Sequence, residues 1–227
     1  MTHAATFYRS SSERNRGSLL VLAHGAGAGQ SHPFMVRYAR GLAERGLDVV
    51  TFDFPYMQTK RGSPDRAPVL EATFRRVVAG AATHAGVRAT KMFIGGKSMG
   101  GRMATHLAAA PEEWPSAAPP LAGVIVLGYP LNPPSGPSKR SPDRVSHLAR
   151  IDVPLLIVQG TRDSFGGPKD ITRAAPQAQV VEVPTGDHSF AVLKSAGTTQ
   201  DEIDAMVIDK IVRFTGGVGA THASADR

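Results

Sequence analysis

The chain has 227 residues, 41% of them hydrophobic, which suits one compact domain with a substantial core. It contains no cysteine, which excludes a disulfide framework, a thiol nucleophile and a cysteine-ligated metal. The net charge of +7 comes from Lys and Arg scattered along the chain rather than gathered in one tract, so it reads as a solvated surface, and no nucleic-acid partner is expected.

Residues 1–10 lack the apolar core of a signal peptide, and no stretch approaches the length of a membrane span. A soluble, cytoplasmic protein with no membrane partner is the expectation. Residues 10–18 are polar and turn-like, and residues 19–23 (Leu-Leu-Val-Leu-Ala) then form a strand buried on both faces. That strand runs into His24-Gly25-Ala26-Gly27-Ala28-Gly29, a loop that can bring backbone N–H groups close to a ligand. A helix starts near Ser31-His32-Pro33 and ends at Gly46, with Phe34, Tyr38 and Leu42 on its apolar face. Residues 49–54 form the next strand, followed by a basic loop over 56–68 and a helix over 69–84. A strand at 92–95 leads to Ser98, and the helix behind it passes Ala104, Leu107 and Ala108 and stops at Pro111. Strands follow at 121–127, 153–158 and 179–183, with a Pro- and Ser-rich segment over 129–142. A last helix begins at Thr199, where Thr199 and Glu202 make a capping box, and Ile203, Met206, Val207, Ile211 and Phe214 recur at helical spacing. The alternation of strand and helix predicts an α/β domain: a mostly parallel sheet with helices on both faces, over residues 1–215, with 216–227 as a flexible tail.

Gly96-Lys97-Ser98-Met99-Gly100 fits G-x-S-x-G, in which a serine sits on a strained strand-to-helix turn. Two phosphate-binding motifs are excluded nearby. A phosphate loop ending in Gly96-Lys97-Ser98 would need glycine at position 91, which is Lys91, and a G-x-G-x-x-G fingerprint starting at Gly25 or Gly27 meets Gln30 or His32. The plain alternative is that Ser98 only caps the following helix.

In a parallel sheet the loops after the carboxyl ends of the strands share one edge. Here they deliver His24 to Gly27, Ser98, Asp163 and His188. A serine hydroxyl needs a base and a carboxylate that orients it, so Ser98, His188 and Asp163 are the candidate catalytic residues. Taken singly, His188 could be a turn histidine and Asp163 a cap for a helix near residues 168–175. Asp187, beside the base, ranks below Asp163, and Asp143 and Asp152 are weaker still. The N–H groups of Met99 and Ala26, with Gly27 next, are the candidate oxyanion donors. His24, Gly27, Lys97 and Asp53 are candidate substrate contacts, although His24 also reads as a brace for its loop and Asp53 as a support for a neighbouring one.

With these residues in view, the chain resembles the α/β-hydrolase superfamily over nearly its whole length, and most of all the small KANL/Tex group near the dienelactone hydrolases. The matching stretches are His24-Gly25-Ala26-Gly27-Ala28-Gly29, Phe52-Asp53-Phe54-Pro55-Tyr56-Met57, Gly96-Lys97-Ser98-Met99-Gly100-Gly101-Arg102, Gly128-Tyr129-Pro130-Leu131, Gln159-Gly160-Thr161-Arg162-Asp163 and Gly186-Asp187-His188-Ser189-Phe190. The resemblance implies an α/β-hydrolase fold and a serine hydrolase with the triad order Ser98, Asp163, His188; it does not imply a substrate. The expectation beside it is a monomer or homodimer that acts on a small-molecule acyl substrate without cofactor or metal. A non-catalytic hydrolase-fold interaction module is the alternative. The connection over 129–150 is too short and proline-rich for a helical cap, which predicts a minimal lid or none and an open site. Lys97, Lys60, Arg61, Lys139 and Arg140 near this edge would either favour an anionic acyl group or form a solvated basic rim.

Overall fold

Apolar runs bounded by glycine, proline and polar residues become the strands of one seven-stranded sheet. The structure, a computed structural model, describes residues 5–11, 17–84, 89–133 and 144–218. The strands are β1 (Ala5–Tyr8), β2 (Ser18–Ala23), β3 (Asp48–Phe52), β4 (Lys91–Lys97), β5 (Leu121–Leu127), β6 (Leu155–Gly160) and β7 (Gln179–Val183). Their spatial order is β1-β3-β2-β4-β5-β6-β7, with β1 antiparallel to β3 and every other pairing parallel. Every residue of β2, β3 and β6 is buried, as expected of parallel strands covered on both faces.

The helices are α1 (Pro33–Glu44), α2 (Pro55–Gln58), α3 (Ala67–Ala82), α4 (Met99–Ala108), α5 (Pro168–Ala174) and α6 (Gln200–Gly217). On one face α1 and α6 bury Phe34, Tyr38, Leu42, Ile203, Val207 and Ile211 against Leu20, Leu22, Phe93 and Ile125. On the other, α3 and α4 bury Leu70, Phe74, Met103 and Leu107 against Val21, Ile94, Val124 and Val126. The alternation of side chains along each strand thus feeds two separate cores.

Three local differences from the sequence reading have physical causes. The edge strand β1 lies in a segment without a strand signal, and it exists because it pairs with β3 from Ala5↔Phe52 to Tyr8↔Val49. The chain just beyond it is fixed by the buried Asp48, whose Oδ1 accepts from the N–H and hydroxyl of Ser10 at 2.7 and 2.8 Å. The expected basic loop after β3 begins with the short helix α2, started by Pro55 at its first position. The last helix continues through Gly216 to Gly217, past the expected boundary at residue 215, and residues 219–227 lie outside the described residues. The connection between β5 and β6 carries a 3-10 turn at Ser146–Arg150, while Lys139, Arg140 and Asp143 lie outside the described residues.

The capping box read from the sequence is present at α6: Thr199 Oγ1 accepts from the Glu202 N–H at 3.3 Å, and Glu202 Oε2 accepts from the Thr199 N–H at 2.7 Å. These donors hold the exposed Glu202 carboxyl below the usual range. Thr199→Ala is expected to lower stability by about 1 kcal/mol and Thr199→Ser to restore most of it, read from denaturant unfolding at neutral pH.

Candidate active site

Ser98 stands where β4 turns into α4, with φ 51° and ψ −115°, a conformation that L residues adopt only under constraint. The constraint is backbone packing. A Cβ on Gly96 would lie 2.5 Å from the Gly100 carbonyl carbon and 2.6 Å from Ala23 O, and one on Gly100 would lie 2.5 Å from the carbonyl oxygens of both Ala23 and His24. No side chain fits at either position, so strand, helix and the end of β2 close on one another and the serine is turned outward. Ser98 is the N-cap residue of α4, yet its side chain makes no capping hydrogen bond, which sets aside the reading of Ser98 as a simple cap.

The hydroxyl instead meets His188, with Ser98 Oγ 2.8 Å from His188 Nε2. His188 Nδ1 lies 2.7 Å from Asp163 Oδ2. A carboxylate only accepts, so Nδ1 carries the ring proton and Nε2 is left to accept from the serine. Asp163 is buried, and its remaining lone pairs are filled: Oδ1 accepts from the Phe165 N–H at 2.8 Å and Oδ2 from Gln159 Nε2 at 2.8 Å. Its reading as a cap for α5 fails, because the cap residue of that helix is Gly167, with Asp170 at its third position. Asp187 holds the base loop from below, with Oδ1 accepting from the N–H groups of Ser189 and Ala191 at 2.7 and 3.0 Å. Asp152 is an exposed residue before the start of β6 and takes no part here.

The His188 loop can approach β6 because residue 160 is glycine: a Cβ there would sit 2.3 and 2.4 Å from the carbonyl oxygens of Gly186 and Asp187. Gln159 and Phe165 are the contributors that sequence reasoning missed. The Gln159 amide donates to Asp163 Oδ2 and, at 2.7 Å, to Gly166 O, while its Oε1 accepts from the Tyr129 N–H at 2.8 Å. The Phe165 ring packs on the His188 imidazole with centroids 4.5 Å apart. A fully buried glutamine ending an apolar strand was the available signal for Gln159. Phe165 offered none.

The glycine loop after β2 lies against the serine: a Cβ on Gly25 would be 3.7 Å from Ser98 Cβ. Ala26 lines clefts on both sides of Ser98, and Met99 is the first residue of α4, where the N–H has no intrahelical partner. Tyr56 fixes the loop by donating its hydroxyl to Ala26 O at 2.9 Å. His24 braces it from inside: Nε2 accepts from the Phe54 N–H at 3.0 Å, and Nδ1 donates to Gly25 O at 2.7 Å. Burial keeps the His24 pKa below its ordinary value, so the 3.7 Å approach of Asp53 is not an ion pair. With no exposed surface, His24 is removed from the substrate contacts. Asp53 is likewise occupied with the loop, its Oδ1 accepting from the Gln30 N–H at 2.7 Å.

Two clefts flank Ser98. The first, of about 300 Å³, is largely apolar, walled by Ala28, Phe34, Met35 and Phe165 and including Gly27 and Lys97. The second, of about 290 Å³, includes Met99, Leu70, Asn132, Phe165, Arg102 and Arg144. Of the basic rim read from the sequence, Arg61 is paired with Asp65 at 2.6 Å, and Lys60 and Arg61 are exposed and line neither cleft. Among the described residues no group of His, Asp and Glu side chains is arranged to hold a metal, and no helix is long and apolar enough to cross a membrane.

Lys97 is buried at the end of β4, where its ammonium donates to the His188 carbonyl and lies 5.6 and 5.7 Å from the ring centres of Phe34 and Phe190. It therefore ties the strand that leads to Ser98 to the loop that carries His188. Burial pushes its pKa down to about 8, against the smaller opposing effect of Asp163 and Asp187. A lysine whose pKa is lower in the folded than in the unfolded chain costs stability below that value. The cost is relieved as pH rises from about 8 towards the unfolded pKa, because only the unfolded chain still binds the proton there. Wild-type stability is expected to gain up to about 1.4 kcal/mol per pH unit over this window relative to Lys97→Met, measured by denaturant unfolding at pH 8 and above.

An alpha/beta hydrolase domain family model matches residues 16–216. No protein of curated function matches the chain by sequence. Among solved structures, the chain is similar to the Est1E protein of Butyrivibrio proteoclasticus with ferulic acid bound, at 15% identity and a TM-score of 0.73 over 96% of this chain and 95% of that one. It is also similar to a serine hydrolase without a lid from Xanthomonas campestris, at 17% identity and a TM-score of 0.68 over 92% and 88% of the two chains. A dienelactone hydrolase of Anabaena variabilis aligns at 16% identity with a TM-score of 0.66, over 94% and 91%. The backbone likeness and the family match over residues 16–216 agree, and the chain belongs to the α/β-hydrolase family.

Proposed function

We propose that the protein is a serine hydrolase that cleaves a carboxylic ester or a related acyl bond through an acyl-enzyme. The observation that carries this reading is the unbroken relay from Ser98 Oγ to His188 Nε2 at 2.8 Å and from His188 Nδ1 to Asp163 Oδ2 at 2.7 Å, with the serine at φ 51°. A capping or surface serine has no need of an imidazole so aligned.

In this reading Ser98 Oγ attacks the acyl carbon while its proton passes to His188 Nε2. Asp163 keeps Nδ1–H in place and stabilises the imidazolium. The negative charge on the former carbonyl oxygen is met by the N–H groups of Met99 and Ala26. Collapse breaks the bond to the leaving group, which takes the proton from His188. Water then attacks the acyl-serine with His188 again accepting a proton, and Ser98 is released with the acid product. Lys97 and Gln159 act as positioning residues, the first on the His188 backbone and the second on the Asp163 carboxylate.

A fluorophosphonate probe should label the protein at Ser98, and the label should be lost in Ser98→Ala and His188→Ala variants that remain folded. Asp163→Asn is expected to cut turnover by up to about 10⁴-fold while leaving substrate binding in place. A folded protein that never labels would favour a non-catalytic hydrolase-fold interaction module, and an Asp163→Asn variant of full activity would mean that another acid orients the base.

A further inference from the structure

The second cleft beside Ser98 has a charge arrangement that the hydrolytic reading leaves unused. Arg102 lies on α4, one helical turn after the nucleophile, and Arg144 enters from the connection after β5; both are half-buried in the wall of this cleft. The Arg144 Nη1 donates to Pro130 O at 3.1 Å, which fixes the guanidinium in the wall. The two cations lie close enough that Arg102, after burial, lowers the pKa of Arg144. Neither has a carboxylate partner among the described residues. Asp65, the acidic residue in the same wall, is already engaged: Oδ1 pairs with Arg61 at 2.6 Å and Oδ2 accepts from the Tyr56 N–H at 3.0 Å. Like charges brought together at a partly desolvated site, with the nearby acid committed elsewhere, are unfavourable unless a ligand supplies the counter-charge. Two planar guanidiniums offer donors suited to an oxyanion, and Leu70 and Phe165 give the same cleft, which Ser98 also lines, apolar wall for an organic body.

We propose that Arg102 and Arg144 bind an oxyanion of the substrate, a carboxylate or a phosphate, in the cleft on the Met99 side of Ser98, so that the protein is selective for anionic esters. This rests on Ser98 as the nucleophile. The apolar cleft on the other side takes the uncharged half of the same substrate.

The test compares kcat/KM for phenyl acetate with that for three charged esters: monophenyl succinate, which carries its carboxylate on the acyl side, and 4-acetoxybenzoate and 4-acetoxyphenyl phosphate, which carry theirs on the leaving group. At least one charged ester is expected to exceed phenyl acetate by tenfold or more, on the order of a charged hydrogen bond. That preference should shrink between about 0.02 M and about 0.5 M salt. Arg102→Gln and Arg144→Gln should each lower the charged-to-neutral ratio by roughly tenfold, and the corresponding Lys variants should restore part of it. The proposal is overturned if no charged ester is preferred, or if the ratio survives in the double Gln variant with its fold intact. Should wild-type protein cleave none of the four esters, the hydrolase reading has failed, and the cleft is judged by calorimetric titration with benzoate and phenyl phosphate. Binding that weakens in the double variant then supports an anion site, and its absence in wild type removes it.

Discussion

The contact on which this molecule depends is the approach of two backbones at Gly96 and Gly100. There the end of β4, the first turn of α4 and the carbonyl oxygens ending β2 lie so close that a single methyl group would overlap main-chain atoms. Main-chain atoms cannot rotate out of the way as side chains do, so the geometry is enforced rather than merely preferred. Ser98 pays for that closeness with a positive φ, and the strain is held by two apolar cores, one on each face of the sheet. A half-buried serine turned outward at the carboxyl edge of the sheet follows from packing alone. What gives the position chemical meaning is that β6 and β7 bring an acid and an imidazole to the same edge.

The support around that relay is layered and mostly local to the loops. Gln159 holds Asp163, Asp163 holds the His188 ring, and Lys97 and Asp187 hold the backbone at His188 and just after it. The glycine loop is treated in the same way, with the His24 ring inside, Tyr56 on its carbonyls and Asp53 at its far end. These site groups have defined partners, which is what a low-dielectric site demands if its geometry is to stay fixed. The arginine pair of the second cleft differs in having no carboxylate partner among the described residues, and that is why it reads as a feature directed at something outside the chain.

Much of this was legible in the sequence because the informative signals were short and local. The apolar runs of β2 and β5, the glycines two residues either side of Ser98 and the Thr199–Glu202 box each declare themselves within a few residues. The order Ser98, Asp163, His188 could be read because each lies within five residues of the end of a strand. The less legible features depend on contacts distant in sequence. Strand β1 is four residues long and is specified by pairing with β3 rather than by its own pattern. His24 and Asp53 read from the sequence as candidate contacts, and only the three-dimensional arrangement shows their polar atoms turned to the backbone. Arg102 and Arg144 are 42 positions apart, and nothing in either local sequence announces that they share a cleft.

Phe165 has a further consequence, because its ring lines both compartments beside Ser98, as Ala26 does, and also packs on the His188 ring. Changes at Phe34 or Met35 reshape one compartment and changes at Leu70 or Arg102 the other, so the two are walled largely by separate sets of residues. An exchange at position 165 alters both walls at once, together with the surface against which the imidazole rests.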